Sequence, residues 1–182
     1  MEKINLKDFE EAYKKYIHTD KLVLAENKLD ELLICYPNED SYDHEYVTEN
    51  NLLAQYTHHT RGCFVAFPHD FVVLYFTTDD KVPLALSEIR DKFVEKLKEC
   101  MPDFDIHIDN NDIIINDKKI SGASYNDYFA FFVSYNPDPE IIKHICKKQS
   151  EKIPGGLLEY GLSREEIEQI LENIMIEFEE RR

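Results

Sequence analysis

The sequence predicts an α+β fold in which helices pack against a largely antiparallel or mixed sheet. Two observations favour this class. Apolar residues recur at helical spacing near the start, in the middle and at the end of the chain, and short runs typical of strands lie between these segments. The strands follow one another through short turns instead of alternating with helices, which is the order of an α+β domain. The sequence shows no repeat and no composition break, so we expect residues 1–182 to form one domain.

The first half of the chain is predicted to hold one helix and several strands. Apolar residues lie at helical spacing from Leu6 to Ile17, with charged residues between them. The polar stretch Glu39–Asn51 has no sustained period, so we interpret it as a loop with one helical turn near Glu45–Asn50. Short apolar runs predict strands at Leu22–Ala25, Asp30–Tyr36, Gln55–Thr60, Cys63–Phe67 and Phe71–Thr77. A turn is predicted at Pro68-His69-Asp70, where the aspartate can accept from nearby backbone amides.

The second half of the chain is predicted to hold three helices and four strands. Helices are predicted at Leu84–Cys100 and Pro139–Lys147, and a capping box at Ser163-Arg-Glu-Glu166 begins a final one. Strands are predicted at Asp105–Ile108, Asp112–Ile115, Lys118–Ser121 and Tyr128–Tyr135. The dipeptide Asn116-Asp117 is suited to a two-residue hairpin turn. Between the last two helices, Pro154-Gly155-Gly156 predicts a loop.

A strong negative charge limits the partners of this protein. Its 37 acidic and 21 basic residues give a formal net charge of -16. Such a surface repels phosphate backbones and anionic membranes, so we expect neither direct nucleic acid binding nor membrane binding. The longest apolar runs fall far below the ~20 residues that a membrane-spanning helix needs. No export leader precedes the first helix, which favours a cytoplasmic protein.

The cysteines and histidines do not predict a metal site. The cysteines are scattered and form no C-x-x-C pair, so we interpret them as buried thiols in a reducing compartment: Cys35, Cys63, Cys100 and Cys146. His58 and His59 are adjacent and would point to opposite faces of a strand. The acidic stretch Asp103–Asp112 lacks the central glycine and terminal glutamate of a calcium loop.

Two segments of the sequence carry more than fold information. The first is Arg61-Gly-Cys-Phe-Val-Ala-Phe-Pro-His69-Asp70, just before a strand. The second is Asn111-Asp112-Ile followed, after three residues, by Asp117-Lys118-Lys119-Ile120-Ser121-Gly122-Ala123-Ser124. In this order they resemble the lipoate–protein ligase family, part of the biotin and lipoate ligase superfamily. The resemblance extends over nearly the whole chain and implies the ligase catalytic domain without the C-terminal accessory domain.

The resemblance implies an ATP-dependent acyl ligase. Such enzymes form an acyl-adenylate from ATP and lipoate or octanoate, with Mg²⁺ accompanying the ATP, and transfer the acyl group to a lysine of a lipoyl-type acceptor protein. Lys119 would be the catalytic cation beside the α-phosphate, because both steps develop negative charge on oxygen atoms. Arg61 would lie near a phosphate, and Asn111 with Asp112 near the adenine. Backbone N–H groups that meet the adenylate would belong to a turn shaped by Ser121, Gly122 and Ala123.

The sequence departs from the family pattern in the glycine loop. Three glycines of the family are replaced here by Cys63, Phe64 and Val65. Because these side chains add volume, we expect Phe64 and Val65 to narrow or block the acyl tunnel.

Two functions therefore stay open. The chain is either an acyl ligase or related acyltransferase, or a catalytically inactive, ligase-derived binding or inhibitory protein whose acidity suits a basic protein surface. Lys119 is correspondingly either a catalytic cation or an exposed hairpin lysine. The cysteines could carry an acyl group as thiolates, but buried thiols are the preferred interpretation.

Overall fold

The computed structural model describes residues 1–57, 63–125, 127–147 and 151–182. The strands, in chain order, are β1 (Glu2–Asn5), β2 (Lys21–Glu26), β3 (Leu32–Cys35), β4 (Ala54–Thr57), β5 (Phe64–Ala66), β6 (Phe71–Phe76), β7 (Ile106–Asp109), β8 (Asp112–Ile115), β9 (Lys118–Tyr125), β10 (Phe129–Val133) and β11 (Ile153–Pro154). The α-helices are α1 (Phe9–Tyr16), α2 (His44–Glu49), α3 (Val82–Ala85), α4 (Lys92–Cys100), α5 (Pro139–Ile145) and α6 (Arg164–Glu180). A π-helical stretch, Leu86–Asp91, joins α3 to α4.

The strands form two sheets. The larger sheet has the order β1-β2-β6-β10-β9-β8-β7, and β11 pairs with β9 beside this path. Its pairs are antiparallel except β1 with β2 and β11 with β9, which are parallel. The smaller sheet has the order β4-β3-β5. This mixed, mostly antiparallel arrangement confirms the predicted α+β class.

The larger sheet is buried on both faces. Along β6, alternate residues enter two separate clusters of apolar side chains, with Val73 on one face and Leu74 on the other. The first face packs against α4 and α6 through Phe93, Leu97, Leu171 and Phe178. The second packs against α1 and the smaller sheet through Phe9, Ala12, Leu33 and Ala66. A strand covered on both faces is an unbroken apolar run, and Phe71–Phe76 has that composition.

A third apolar cluster covers the other face of the smaller sheet. Ile34 and Val65 face outward from this sheet and pack with Val47 of α2 and Ile145 of α5. The layers are therefore helices, larger sheet, smaller sheet with α1, and finally α2 with α5. Residues of α5 and β5 line the cavity described below, together with residues of β9 and β10 of the larger sheet.

Most predicted elements are confirmed, and the differences are local. Asn116 and Asp117 form the hairpin turn with positive φ values of 46° and 67°. The capping box is present, because the Ser163 hydroxyl accepts from Glu166 N at 3.2 Å while the Glu166 carboxylate accepts from Ser163 N at 2.8 Å. The sequence did not predict β1 or β11, and β11 ends at Pro154, the first residue of the predicted loop Pro154-Gly155-Gly156. Residues 58–60 of the predicted strand Gln55–Thr60 lie outside the described residues.

Two further predictions bear on the function. The interpretation of all four cysteines as buried is wrong for Cys100, which is exposed at the end of α4, and Cys63 is only half-buried. No disulfide joins the four cysteines, all of which lie in the described part of the chain. In the described ranges, no helix is long and apolar enough to cross a membrane.

Candidate functional site

A cavity of about 750 Å³ lies beside Lys119. Its walls come from β9 and β10 of the larger sheet, β5 of the smaller sheet, α5, and the segment that leads into β11. Pockets for small ligands typically measure ~300–1,000 Å³, so the volume suits a small molecule. The wall is largely apolar at β5 and β10, where the Phe64 and Phe132 rings are in contact, with centroids 4.4 Å apart and ring planes tilted by 46°. It is charged at the start of β9.

A β-bulge turns Lys119 toward this cavity. On β9, Ala123 and Tyr125 face the cluster packed against α4 and α6, so a regular strand would point Lys119 the same way. The pairing of β8 with β9 instead shifts between Ile113 and Ile114, and Ile120 is the extra residue on β9. A bulge reverses the alternation beyond it. Lys119 therefore lies on the cavity face of the sheet.

Lys119 shares a carboxylate with a second lysine. Its Nζ lies 3.0 Å from Asp112 Oδ1, and Lys152 Nζ lies 3.0 Å from Asp112 Oδ2. Lys152 is also 2.9 Å from Asp109 Oδ2, and its bonds to Asp109 and Asp112 raise the pKa of its ammonium group. Two ammonium groups and the carboxylates of Asp109 and Asp112 therefore meet at one end of the cavity. The ammonium groups can donate to a phosphate or carboxylate group of a ligand.

Gly122 makes room for the pair of Lys119 and Asp112. It lies opposite Asp112 in the ladder, on the same face as Lys119. A Cβ atom at this position would lie 3.0 Å from Asp112 Oδ1 and 3.3 Å from Lys119 Cε. Glycine has no Cβ atom, so the ion pair of Lys119 and Asp112 can lie close to the backbone of β9 at this position.

Other expected site residues have structural contacts that the sequence did not predict. Ser121, Gly122 and Ala123 do not shape a turn, because they lie inside β9. The Ser121 hydroxyl donates to Phe132 O across the ladder, and Ala123 N donates to Asn111 O at 3.1 Å.

Asn111 lies apart from the cavity wall. Its exposed side chain accepts from Arg90 at 3.3 Å, and it is not among the residues that line the cavity. Asp112 lies on the wall but is bonded to two lysines. The expected adenine contact of Asn111 and Asp112 stays a prediction.

The departure from the glycine pattern does not block the cavity. Cys63, Phe64 and Val65 form part of its wall, and the cavity of about 750 Å³ remains between them and β9. The expectation that Phe64 and Val65 block the pocket is therefore wrong for the described residues, and the expectation that they narrow it stays a prediction. One reason why the cavity stays open is that the Val65 side chain packs into the third apolar cluster. Arg61 lies outside the described residues.

Two cysteine thiols meet at the cavity wall. Cys146 Sγ donates to Cys63 Sγ at 2.8 Å, although 83 positions separate the two residues. This hydrogen bond lowers the pKa of Cys63 and outweighs the opposing effect of burial. The same contact, together with burial, raises the pKa of Cys146. Of the two thiols, Cys63 is therefore the one whose pKa is lowered, which the preferred interpretation of a buried, inert thiol did not predict.

Sequence patterns contained no signal for Lys152 or for the thiol pair. Lys152 reaches Asp112 because β11 pairs in parallel with Lys118 and Lys119 of β9, and no motif marks that pairing. Within the described residues, no group of three or more His, Cys, Asp or Glu side chains could hold a metal ion.

The His69–Asp70 turn supports the scaffold near the site. The buried Asp70 carboxylate accepts from Phe67 N at 2.9 Å and from Tyr135 N at 2.7 Å, which confirms the predicted turn. Burial raises the pKa of Asp70 to about 7 against the effect of these two bonds. His69 Nδ1 lies 3.1 Å from the buried Glu26 carboxylate, which also binds the Arg164 guanidinium at 2.6 and 2.7 Å.

Similar solved structures are lipoate–protein ligases. A bi-partite lipoate protein ligase of Thermoplasma acidophilum, studied with its E2 lipoyl domain, has a TM-score of 0.66 at 18% identity, covering 98% of this chain and 81% of that one. Lipoate-protein ligase A bound with ATP has a TM-score of 0.68 at 18% identity, covering 98% and 83%. P. falciparum LipL1 in complex with lipoate has a TM-score of 0.65 at 16% identity, covering 99% and 61%.

The sequence comparisons differ from the structural ones. No protein-family model matches the sequence, and no curated protein sequence matches it. The structural likeness shows that the chain has the lipoate–protein ligase fold, which confirms the fold that the two motifs predicted.

Proposed function

We propose that this chain, which has the fold of lipoate–protein ligases, is an ATP-dependent acyl ligase. It would activate octanoate, lipoate or a similar carboxylate as the acyl-adenylate and transfer the acyl group to a lysine of a lipoyl-type acceptor protein. One observation carries the proposal: a cavity with an apolar wall ends at the ammonium groups of Lys119 and Lys152. The relatives in this fold that hold lipoate or ATP support the choice of ligands.

The cavity suits an amphipathic ligand. Phe64, Phe132 and Ile142 offer apolar contact to an acyl chain. The two lysines offer donors to a carboxylate or phosphate at the other end, and Gly122 leaves space beside them. An apolar tail with an anionic head matches both parts of the wall.

Lys119 would act by stabilising charge. Joining a carboxylate to the α-phosphate of ATP develops negative charge on phosphate oxygens, and a fixed ammonium group lowers the energy of that state. Asp112 would hold the Lys119 ammonium in place at 3.0 Å, while Lys152 balances the charge of Asp112 from its other oxygen. Lys119 can therefore donate to a phosphate oxygen while Lys152 still pairs with the Asp112 carboxylate.

The test is pyrophosphate release with ATP and octanoate or lipoate, on the parent and on Lys119→Ala. Removing one preorganised donor typically costs ~2.7–4 kcal/mol of transition-state stabilisation, so we expect a fall of about 10²–10³-fold in rate. Lys118→Ala is the matched control, because Lys118 pairs with Glu159 at 2.5 Å and does not line the cavity. Thermal melting of all three proteins checks that folding is unchanged.

Two outcomes would contradict the proposal in different ways. Background activity from the parent would reject ligase activity for those substrates and favour the acidic binding protein. Parent activity that is unaffected by Lys119→Ala would reject the role of Lys119 while keeping the ligase. Transfer of the acyl group to a purified lipoyl domain then tests the acceptor separately.

A further inference from the structure

The contact between Cys63 and Cys146 joins two distant parts of the fold. Cys63 directly precedes β5 in the smaller sheet, and Cys146 directly follows α5. Cys146 also forms an isolated antiparallel bridge with Tyr42, and both cysteines pack in the third apolar cluster. Their sulfur atoms are 2.8 Å apart, whereas a disulfide bond measures about 2.05 Å. Bond formation therefore needs the sulfur atoms to approach by about 0.75 Å.

The four cysteines differ in their ability to react. The hydrogen bond from Cys146 favours the thiolate of Cys63, and the thiolate is the reactive form in disulfide exchange. Both of these residues line the cavity, so a small molecule that enters it meets them. Cys35 is buried in β3, where burial strongly raises its pKa, and it does not line the cavity. Cys100 is exposed but does not line the cavity either.

We propose that Cys63 and Cys146 are a redox pair that closes reversibly to a disulfide at the cavity wall by exchange with a low-molecular-weight disulfide. The Cys63 thiolate attacks one sulfur of the reagent, R–S–S–R, which forms a mixed disulfide and releases RS⁻. Cys146, after losing its proton, attacks the Cys63 sulfur and releases the second RS⁻. The protein loses two protons and two electrons, and the reagent gains them as two RSH molecules. The inference is independent of the proposed ligase function.

The bond would tie β5 to the end of α5 across one side of the cavity. Because 83 positions separate the two cysteines, the cross-link removes much conformational freedom from the unfolded chain. The oxidised protein should melt higher than the reduced protein, by roughly 5–15 °C for a chain of this size. Reduction should reverse the shift completely.

The experiment uses the full chain and oxidised glutathione near pH 7.5, with mass spectrometry of the intact protein and of its peptides without reducing agent. We expect a mass loss of two hydrogen atoms, a linked peptide pair containing Cys63 and Cys146, and the higher melting temperature. Dithiothreitol should restore the original mass. Cys146→Ser should stop at the mixed disulfide on Cys63, and Cys63→Ser should give no linked pair.

The matched control is Cys100→Ser, which should form the linked pair at the parent rate because Cys100 lies outside the cavity wall. Circular dichroism of each variant before oxidation shows that it is folded. A parent that carries stable mixed disulfides on Cys63 and Cys146 without a linked pair would overturn the proposal. A linked pair containing Cys35 or Cys100 instead would overturn it as well.

Discussion

Replacing Gly122 with alanine should separate the stability of the fold from the function of the cavity. The added Cβ would lie 3.0 Å from Asp112 Oδ1, 3.3 Å from Lys119 Cε and 3.4 Å from Lys119 Nζ. All three neighbours are side-chain atoms, so β9 can keep its position while the ion pair moves by a few tenths of an ångström. The substitution therefore tests whether the position of the Lys119 ammonium matters.

The expected change in stability is small. Alanine in a strand interior is favoured over glycine by roughly 0.5–1 kcal/mol, because glycine loses more backbone freedom on folding. Disturbing a partly exposed ion pair costs at most about 1 kcal/mol. These effects nearly cancel, so urea unfolding should give a free energy of unfolding within about 0.5 kcal/mol of the parent.

The expected change in activity is larger. Misplacing a catalytic group by about 1 Å can cost ~10²-fold in rate, so a few tenths of an ångström should cost roughly 10-fold in pyrophosphate release. Gly156→Ala is the contrasting variant, because its Cβ would overlap the Tyr135 carbonyl oxygen, which belongs to the backbone. It should lose stability clearly. A Gly122→Ala protein with parent activity, or one destabilised as much as Gly156→Ala, would refute the reasoning.

Two further predictions concern the scaffold beside the site. Burial raises the pKa of Asp70 from 3.8 to about 7, so the folded protein holds this proton more tightly than the unfolded chain does. The contribution of Asp70 to the free energy of unfolding should be greatest below about pH 4 and fall by up to about 4 kcal/mol as the pH rises to about 7, so the pH dependence of urea unfolding should differ by this amount between the parent and Asp70→Asn. Arg164→Met should lower the free energy of unfolding by about 2–3 kcal/mol, because among the described residues only His69 then remains beside the buried Glu26 carboxylate. Adding Glu26→Gln should recover part of that loss in thermal melts. A parent with the same pH dependence as Asp70→Asn, or an Arg164→Met protein as stable as the parent, would contradict the respective prediction.

The elements of this fold were predictable where local physics decides them. Helical spacing, a Ser163–Glu166 capping box and the Asn116-Asp117 turn each depend on residues close together in sequence. Strand β1 was missed because Glu2–Asn5 is polar and gains its order only by pairing with β2. The π-helical stretch Leu86–Asp91 was also missed, since its apolar spacing resembles that of an ordinary helix.

The site was predictable only as a set of residue types in order. The motif around Lys119 indicated the ligase fold, and Gly122 and Asp112 lie beside that lysine in the structure. The direction of Lys119 depends on the bulge at Ile120, which comes from the register of β8 with β9. A one-residue change of register turns every later side chain to the other face of the sheet. The sequence of one strand does not indicate in which register that strand pairs.

The remaining parts of the site were decided by the tertiary structure alone. Lys152 meets Asp112 through the pairing of β11 with β9, and Cys63 meets Cys146 where β5 passes the end of α5. The volume left beside Phe64 depends on how far apart the two sheets pack, which the size of one side chain does not determine. By itself the sequence therefore determined the fold class, the negative charge and the candidate lysine, because these follow from local pattern and composition. Which side chains meet at the cavity was decided by packing between segments far apart in the chain.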